Sequence, residues 1–422
     1  MSKKNTDRWY KLENTAKIFP PTSNKNDPKV FRFYVELKKE IDPIVLQFAL
    51  DKTLEEFPLF KSVLKKGLFW YYLETTDIKP KVTIEETIPC EELNRGLLFR
   101  VNYFKKRLNI EVNHALTDGT GTLHFLKVLI CNYETLKDNV SNEIYVDDIS
   151  VFEREKDSYH KYFDRNKKEK NEKEKFAYQL NSKKYPEDRI KVIELIMPTN
   201  EVLKLSKEKK VTVTSYLTAL MLKSIGDTMS HEEKKKEVVV TIPVNLRNYF
   251  PSNTARNFFN VIPIKYKFDE DNEDFETVLT ETNKQFKEKI TKAELEKRMN
   301  SLANFENIFI IRLIPIFIKD IFLKYIYKMT RKYRTITLSN IGIITIPEEL
   351  EKYISHFGVF SSTDNIQSCL CTFKDKMVFT FTSHFLDCEI QKNFTRFLTE
   401  KGIQVLINTN IVEEEELDEK MF

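Results

Sequence analysis

The stretch Leu108–Gly121 constrains the fold most strongly, because a strand pattern gives way there to a helix pattern. Aliphatic residues alternate over Leu108–Val112, and His114 falls on the same face at the end of the predicted strand. Asp118 and two glycines then interrupt the pattern. The residues that follow, Thr122–Tyr133, have the spacing of an amphipathic helix. The sequence therefore predicts a strand, a tight turn and a helix in succession.

Strand and helix patterns continue on both sides of this unit, which predicts an α/β (α+β) fold. Strands are expected at Val30–Leu37, Leu97–Phe104, Lys191–Met197, Glu237–Val244, Phe258–Phe268, Thr335–Leu338, Ser368–Phe373 and Met377–Phe381. Helices are expected at Ile44–Phe57, Asp274–Leu302 and Glu389–Lys401, and from Thr212 or Thr214 to Ser224. The mixed-charge run Asp164–Lys175 predicts a solvated linker or an exposed helix. We therefore place a domain boundary there, between residues 1–175 and residues 176–422.

The charge balance gives no support to a nucleic-acid partner. The 422 residues include 68 Lys and Arg against 64 Asp and Glu, which leaves a net charge of +4. No basic block stands apart from acidic neighbours, so neither nucleic acid nor an anionic membrane is an expected partner. Hydrophobic residues make up 41% of the chain, enough to fill sizeable cores.

One apolar segment, Asn307–Met329, raises the question of a membrane. Arg312, Lys319 and Asp320 interrupt it, and charges in mid-span are costly in hydrocarbon, so no transmembrane segment is expected. Pro315 falls inside the pattern and is expected to bend it. The segment is therefore predicted to be a buried, bent helix, the alternative being contact with a lipid surface.

The cysteines indicate neither a disulfide framework nor a metal site. Their number is odd and none forms a CxxC pair. They are Cys90, Cys131, Cys369, Cys371 and Cys388. No His and Cys cluster has zinc spacing, and the polar start of the chain lacks the apolar core of a signal peptide. These features predict a reducing, cytoplasmic location and no bound metal.

His114 carries the main functional hypothesis. An imidazole titrates near neutral pH, so a histidine at a strand end close to a carboxylate suits a general base. Asp118 has a sufficient structural explanation as the N-cap of the following helix. His384 also follows a predicted strand, from which it could approach a central channel, although a lone strand histidine is usually structural. No role is assigned to the other histidines, His124, His160, His231 and His356, the last three of which have polar sequence surroundings.

Six segments together resemble the alcohol acetyltransferase branch of the condensation-domain and chloramphenicol-acetyltransferase-like superfamily of CoA-dependent acyltransferases. The motif His114-x-x-x-Asp118-Gly119 resembles the active-site motif of that superfamily. The other segments are Trp9–Pro20, Leu98–Phe104, Pro243–Arg247, Arg256–Phe259 and Ser339–Gly342. The resemblance spans most of the chain, and the charged run is its least matched part. Many members have a second histidine before the catalytic one, where this chain has Asn113, but the branch with a single histidine is also catalytic.

The resemblance implies two lobes, each a mixed sheet with helices, that flank a central tunnel. Acyl-CoA enters from one side and the acceptor from the other. His114 then takes a proton from the acceptor as it attacks the thioester carbonyl. Asp118 fixes the turn by pairing with an arginine, either Arg247 or Arg100, and Gly119 supplies the backbone freedom that the turn needs.

Ser339 and Asn340 are candidate substrate-binding residues. They follow the predicted strand Thr335–Leu338, where polar groups can meet the thioester carbonyl or the pantetheine arm. Small polar residues also simply end strands, so both interpretations stand. The many Phe and Ile residues favour an apolar channel.

The resemblance implies an acyltransferase that moves an acyl group, with acetyl expected first, to an alcohol or amine acceptor. Acyl-CoA is the co-substrate, and no bound cofactor is expected. One alternative is a condensation-type enzyme whose donor is a carrier-protein thioester supplied in trans. Another is a non-catalytic relative that binds acyl-CoA or a metabolite, although the intact His114 and Asp118 argue against it.

Overall fold

The fold is that of a computed structural model, which describes residues 8–86, 88–93, 96–137, 149–162, 175–185, 190–269, 272–307 and 313–410. The strands are β1 Trp9–Lys11, β2 Val30–Leu37, β3 Ser62–Lys66, β4 Tyr71–Thr75, β5 Thr83–Ile84, β6 Phe99–Phe104, β7 Arg107–Asn113, β8 Lys191–Pro198, β9 Val238–Asn245, β10 Phe259–Tyr266, β11 Ile336–Ile343, β12 Ile354–Ser361, β13 Ile366–Phe373, β14 Lys376–Ser383 and β15 Leu406–Thr409. The α-helices are α1 Phe19–Thr22, α2 Pro43–Glu56, α3 Gly119–Lys137, α4 Val151–Glu155, α5 Ser158–Tyr162, α6 Thr199–Glu208, α7 Val213–Gly226, α8 Phe275–Lys289, α9 Lys292–Asn307, α10 Ile316–Arg331, α11 Glu348–Glu351 and α12 Glu389–Glu400.

The first sheet has the strand order β12-β2-β7-β6-β5. Strands β2, β6 and β7 confirm the corresponding predictions, and β6 and β7 pair as an antiparallel hairpin. Helix α2 begins as its sequence indicates, because the Asp42 carboxylate accepts the N–H groups of Ile44 and Val45 and Pro43 needs no partner. Helices α2 and α3 pack together, and their apolar faces share a hydrophobic core with this sheet.

The second sheet has the order β10-β9-β11-β13-β14-β8-β15, and a small third sheet has the order β1-β4-β3. Helices α7 and α8 pack against each other and against the β9–β10 edge of the second sheet, enclosing a second hydrophobic core. Helix α7 is capped by Thr212, whose hydroxyl accepts the Ser215 N–H. The chain therefore has two lobes, each of which consists of one large sheet, its helices and a hydrophobic core.

Two helix predictions are wrong in detail. The stretch predicted as one helix over Asp274–Leu302 forms α8 and α9, because Thr291 caps a new helix by accepting the Glu294 N–H at 3.2 Å. The apolar segment is not a buried helix bent at Pro315. Helix α10 begins directly after this proline, and much of its apolar surface faces solvent; the preceding residues 308–312 lie outside the described part of the chain.

The charged run falls almost entirely on residues 163–174, outside the described residues, so the boundary between residues 1–175 and 176–422 stays a prediction. None of the helices in the described ranges combines the length and hydrophobicity that crossing a membrane requires. All five cysteines are free. No group of three or more His, Cys, Asp or Glu side chains within those ranges is placed to hold a metal ion.

Candidate active site

His114 directly follows β7, and hydrogen bonds fix its backbone on both sides. Its N–H donates to the Lys29 carbonyl at 2.8 Å, and its own carbonyl accepts the Asn257 side-chain amide at 3.0 Å. The preceding Asn113 closes the turn, since its Oδ1 accepts the Ala115 N–H at 2.9 Å. The position of His114 is therefore fixed jointly by the end of β7, by the turn after it and by the segment that contains Asn257.

Three aromatic rings lie around the imidazole of His114. The centroid distances are 4.4 Å to Phe31, 4.9 Å to Phe19, which stacks on it, and 6.4 Å to Phe259. The Nδ1 atom is buried and has no hydrogen-bond partner among the described residues. This apolar enclosure disfavours a charged imidazole.

Burial lowers the pKa of His114 to about 4. The negative charges of Asp118 and Asp27 act in the opposite direction, and the positive charge of Lys29 adds to the lowering. The burial effect is the largest, so the imidazole is neutral at physiological pH. A neutral imidazole is the form that can accept a proton.

Asp118 is held by an arginine and by two backbone N–H groups. Arg247 makes two hydrogen bonds to its carboxylate, of 2.8 and 3.2 Å, and both side chains are buried. The N–H groups of Gly121 and Phe258 donate at 3.0 and 2.8 Å. Asp118 therefore caps α3 and ties it to the segment after β9. Arg100, the other candidate partner, pairs with a different carboxylate in the first sheet.

Gly119 and Gly121, at the start of α3, matter because neighbouring atoms leave little or no room for a side chain there. Gly119 has no positive φ, so the backbone freedom predicted for it is wrong. A Cβ atom at this position would lie 3.1 Å from Cδ1 of Ile341, which lines the same cavity. Gly121 is more restricted, because a Cβ atom there would collide with the Ala255 carbonyl and the Thr117 hydroxyl.

A cavity of about 940 Å³ brings the predicted site residues together. Its walls come from elements of both large sheets and from α7, α8 and α10. The lining includes each of the residues proposed from the sequence, namely His114, Asp118, Gly119, Ser339 and Asn340. The histidine thus faces a space large enough for a substrate.

Ser339 and Asn340 lie within β11 and not after its end, which corrects the predicted strand boundary. The strand continues to Ile343 across a bulge, where Gly342 has a φ of 86°. The Asn340 side chain donates to the Thr214 hydroxyl at 2.7 Å and accepts the Gly342 N–H at 2.8 Å. This bulge interrupts regular pairing beside the cavity.

The remaining histidines lie away from this site. His384 is buried, with Nε2 3.0 Å from the Asn26 carbonyl oxygen, and it does not line the cavity. His356 is buried in β12 with its Nδ1 3.2 Å from the Ser355 hydroxyl, and burial, with smaller contributions from Lys376 and Arg107, lowers its pKa to about 4. His124 packs edge-on against Phe57 in the first core.

One wall of the cavity is polar, in contrast to the apolar channel expected. Lys29 forms an ion pair with Asp27, and its Nζ lies 2.6 Å from the Tyr327 hydroxyl. On the same wall, Arg331 pairs with Asp364 at 2.5 Å. The cavity can therefore accept a substrate with both apolar and hydrogen-bonding parts.

The profile of the Transferase family matches residues 73–339, more than half of the chain. The chain belongs to this family. The family lies within the CoA-dependent acyltransferase superfamily, which confirms the resemblance stated above. No curated protein matches the transferase by sequence.

Solved structures of three proteins share the fold of this transferase. TRI101 from Fusarium graminearum, complexed with ethyl coenzyme A, superposes with a TM-score of 0.63 at 9% identity, covering 95% of this chain and 100% of the other. TRI3 trichothecene 15-O-acetyltransferase from Fusarium sporotrichioides gives 0.60 at 11% identity, with 95% and 96% covered. The starter condensation domain of rhizomide synthetase RzmA gives 0.56 at 11% identity, with 94% and 96% covered. These likenesses confirm the predicted two-lobed α/β fold.

The sequence missed most of the residues around the imidazole of this transferase. Phe31 alternates along β2 like any core residue, so nothing marked it as a neighbour of His114. Tyr327 and Lys29 are nearly 300 positions apart and meet only because α10 packs beside α1. Phe19 and Phe259 lie in two of the segments that carry the family resemblance, and this was the signal present for them.

Proposed function

We propose that this transferase moves an acyl group from acyl-CoA to the hydroxyl or amine of a small acceptor, with His114 as the general base. The observation that carries this proposal is the neutral, desolvated imidazole on the wall of the 940 Å³ cavity. Since Nδ1 is buried, Nε2 is the nitrogen left to face the acceptor. A base of this kind speeds proton transfer by roughly 10²- to 10⁴-fold.

In the proposed reaction, the acceptor oxygen or nitrogen attacks the thioester carbonyl as His114 takes its proton. The tetrahedral adduct then breaks its carbon–sulfur bond, and the leaving thiolate of CoA takes the proton from the imidazolium. Ser339 faces the cavity, and we assign its hydroxyl to the negatively charged carbonyl oxygen of the adduct. Asp118 acts by holding the turn, because Arg247 already occupies its carboxylate.

The choice of CoA as donor has support from the charges at the cavity. Lys210 and Lys287 line it and are exposed, so they are available to the phosphates of the donor. The fold likeness to a 15-O-acetyltransferase favours acetyl transfer to oxygen. The free cysteines favour a reducing compartment such as the cytoplasm.

The test is acceptor-dependent release of free thiol from acetyl-CoA and from a longer acyl-CoA, with a panel of alcohols and amines. His114→Ala is expected to lower the rate by roughly 10²-fold or more, with CoA binding retained in calorimetry. His124→Ala is the matched control, because this histidine lies on the same helix–turn unit but does not line the cavity. Equal rates for His114→Ala and wild type would exclude His114 as the base.

Two other outcomes would favour the alternatives. Turnover only with an acyl group on a carrier protein would indicate a condensation-type enzyme, a possibility that the fold likeness to a condensation domain keeps open. Tight binding of acyl-CoA without turnover of any acceptor would indicate a binding protein.

A further inference from the structure

Helix α10 presents an unusual amount of apolar surface to solvent. Phe317 and Ile321, one turn apart, are 60% and 69% exposed. The exposed apolar residues of this region, here called the α10 patch, are Leu68, Phe69, Leu313, Phe317, Ile318, Ile321, Phe322 and Tyr325. Contiguous apolar surface of this kind marks a place where something else binds.

The two segments that form the α10 patch are held together. The Ile316 N–H donates to the Leu68 carbonyl at 2.8 Å, and the Lys319 ammonium donates to the Phe69 carbonyl at 3.0 Å. Lys319 also lies 3.6 Å from the ring centroid of Trp70. The patch is therefore a fixed surface that joins the β3–β4 turn to α10.

The charges next to the α10 patch are positive. Lys324, Lys328 and Lys332 are exposed on and after the last turns of α10, on the side that Phe317 and Ile321 occupy one to two turns earlier. The one acidic residue between positions 313 and 332 is Asp320. Its carboxylate already accepts hydrogen bonds from Lys66 at 2.8 Å and from a tyrosine hydroxyl at 2.9 Å.

We propose that the α10 patch docks this protein onto an anionic phospholipid bilayer. The apolar side chains enter the boundary between headgroups and acyl chains, and the lysines reach the lipid phosphates. A bilayer fits better than a protein partner, because the exposed charges of α10 beside the patch are lysines and its one carboxylate, Asp320, is already paired, which complements a uniformly negative surface. The net charge of +4 gave no sign of this, because it averages over the whole chain.

Docking in this way places the cavity beside the lipid. Tyr327 and Arg331, on α10, belong to the cavity wall, while Phe317 and Ile321 of the same helix face outward. The proposal does not rest on the acyltransferase activity, because vesicle binding is measured without substrates.

The experiment is flotation of the full-length protein with vesicles of phosphatidylcholine, with and without about one-third phosphatidylglycerol. We expect binding to the anionic vesicles, and about tenfold weaker binding for Phe317→Ser/Ile321→Ser. The matched control is Ile44→Ser/Phe48→Ser, which removes an Ile and a Phe at the same spacing and with similar exposure, 69% and 63%, from α2. Circular dichroism checks that each variant is folded.

A second variant tests the charge part of the proposal. Lys324→Gln/Lys328→Gln changes only exposed side chains and is expected to abolish the preference for anionic vesicles. The proposal is overturned if the wild-type protein does not float with anionic vesicles, or if the α2 control loses as much binding as the α10 variant. It is also overturned if sedimentation shows a dimer that Phe317→Ser/Ile321→Ser converts to a monomer, because the patch would then be a protein interface.

Discussion

At the scale of single residues, the environment of His114 is arranged to keep the imidazole uncharged. Phe19 and Phe31 replace water around the ring, and the desolvation outweighs the nearby carboxylates. The charge of Asp118 is directed at Arg247 and not at the histidine. For His114 to act as the base, the acceptor must therefore enter the same water-excluded space beside the imidazole.

This environment predicts the pH dependence of the reaction. The pKa of His114 is about 4 instead of 6.5, so the base is neutral down to weakly acidic pH. We expect kcat/KM to hold nearly constant from neutral pH to about pH 5 and to fall as the pH passes through about 4. The profile is measured with acetyl-CoA and one active acceptor. An acid limb centred near 6.5 would contradict the proposed desolvation.

The same shift makes the stability of the protein depend on pH. Both His114 and His356 have a folded-state pKa of about 4, below the 6.5 of an unfolded chain. Between these values the unfolded state binds more protons, so the free energy of unfolding decreases as the pH falls from 6.5 towards 4. Urea unfolding across this range provides the check. It also shows at which pH values a kinetic profile refers to folded protein.

At the scale of elements, α3 approaches the segment after β9 closely at one point. Gly121 lies on its first turn, where a Cβ atom would be 2.8 Å from the Ala255 carbonyl carbon. This contact is with backbone, so a side chain cannot be accommodated by a change of rotamer. The motif helix therefore needs a glycine at 121 for packing, independently of any chemistry.

We expect Gly121→Ala to destabilise the protein by about 3 kcal/mol or more, because overpacking against backbone displaces the helix. The matched control is Gly119→Ala, two positions earlier. Its Cβ atom would meet the end of the flexible Ile341 side chain at 3.1 Å and the Phe33 ring at an ordinary contact distance of 3.7 Å, so the loss of stability should be smaller. Urea unfolding of both variants measures the difference. Equal stabilities would show that α3 can shift without cost.

The elements that the sequence predicted well have local signals. Strand β2 shows regular alternation, and α2 starts at an Asp-Pro cap whose geometry depends on adjacent residues alone. Strand β12 was missed, because its pairing with β2 depends on residues more than 300 positions away. The exposure of α10 was missed for a related reason, since an apolar helix has the same pattern whether its face is buried or solvent-exposed.

At the scale of the whole molecule, the two parts of the chain are interlocked. Strand β12, which belongs to residues 176–422, is an edge strand of the first sheet and pairs with β2 along its length. Tyr34 of β2 is fully buried and fills the space that Gly358 leaves. The active-site turn is also held from the other part, through the Arg247–Asp118 pair.

This interlocking predicts how fragments 1–175 and 176–422 behave. Fragment 1–175 alone would expose the β2 edge and leave Asp118 without its arginine, so we expect no cooperative unfolding transition. Co-expression of the two fragments should give a complex that purifies together and recovers the transition, because the missing strand and arginine are then supplied in trans. A version of the second fragment with Gly358→Val is the control, since its side chain would clash with Tyr34 and should weaken the complex. Cooperative folding of fragment 1–175 by itself would mean that the predicted boundary separates independent domains and that β12 merely adds to a sheet already stable without it.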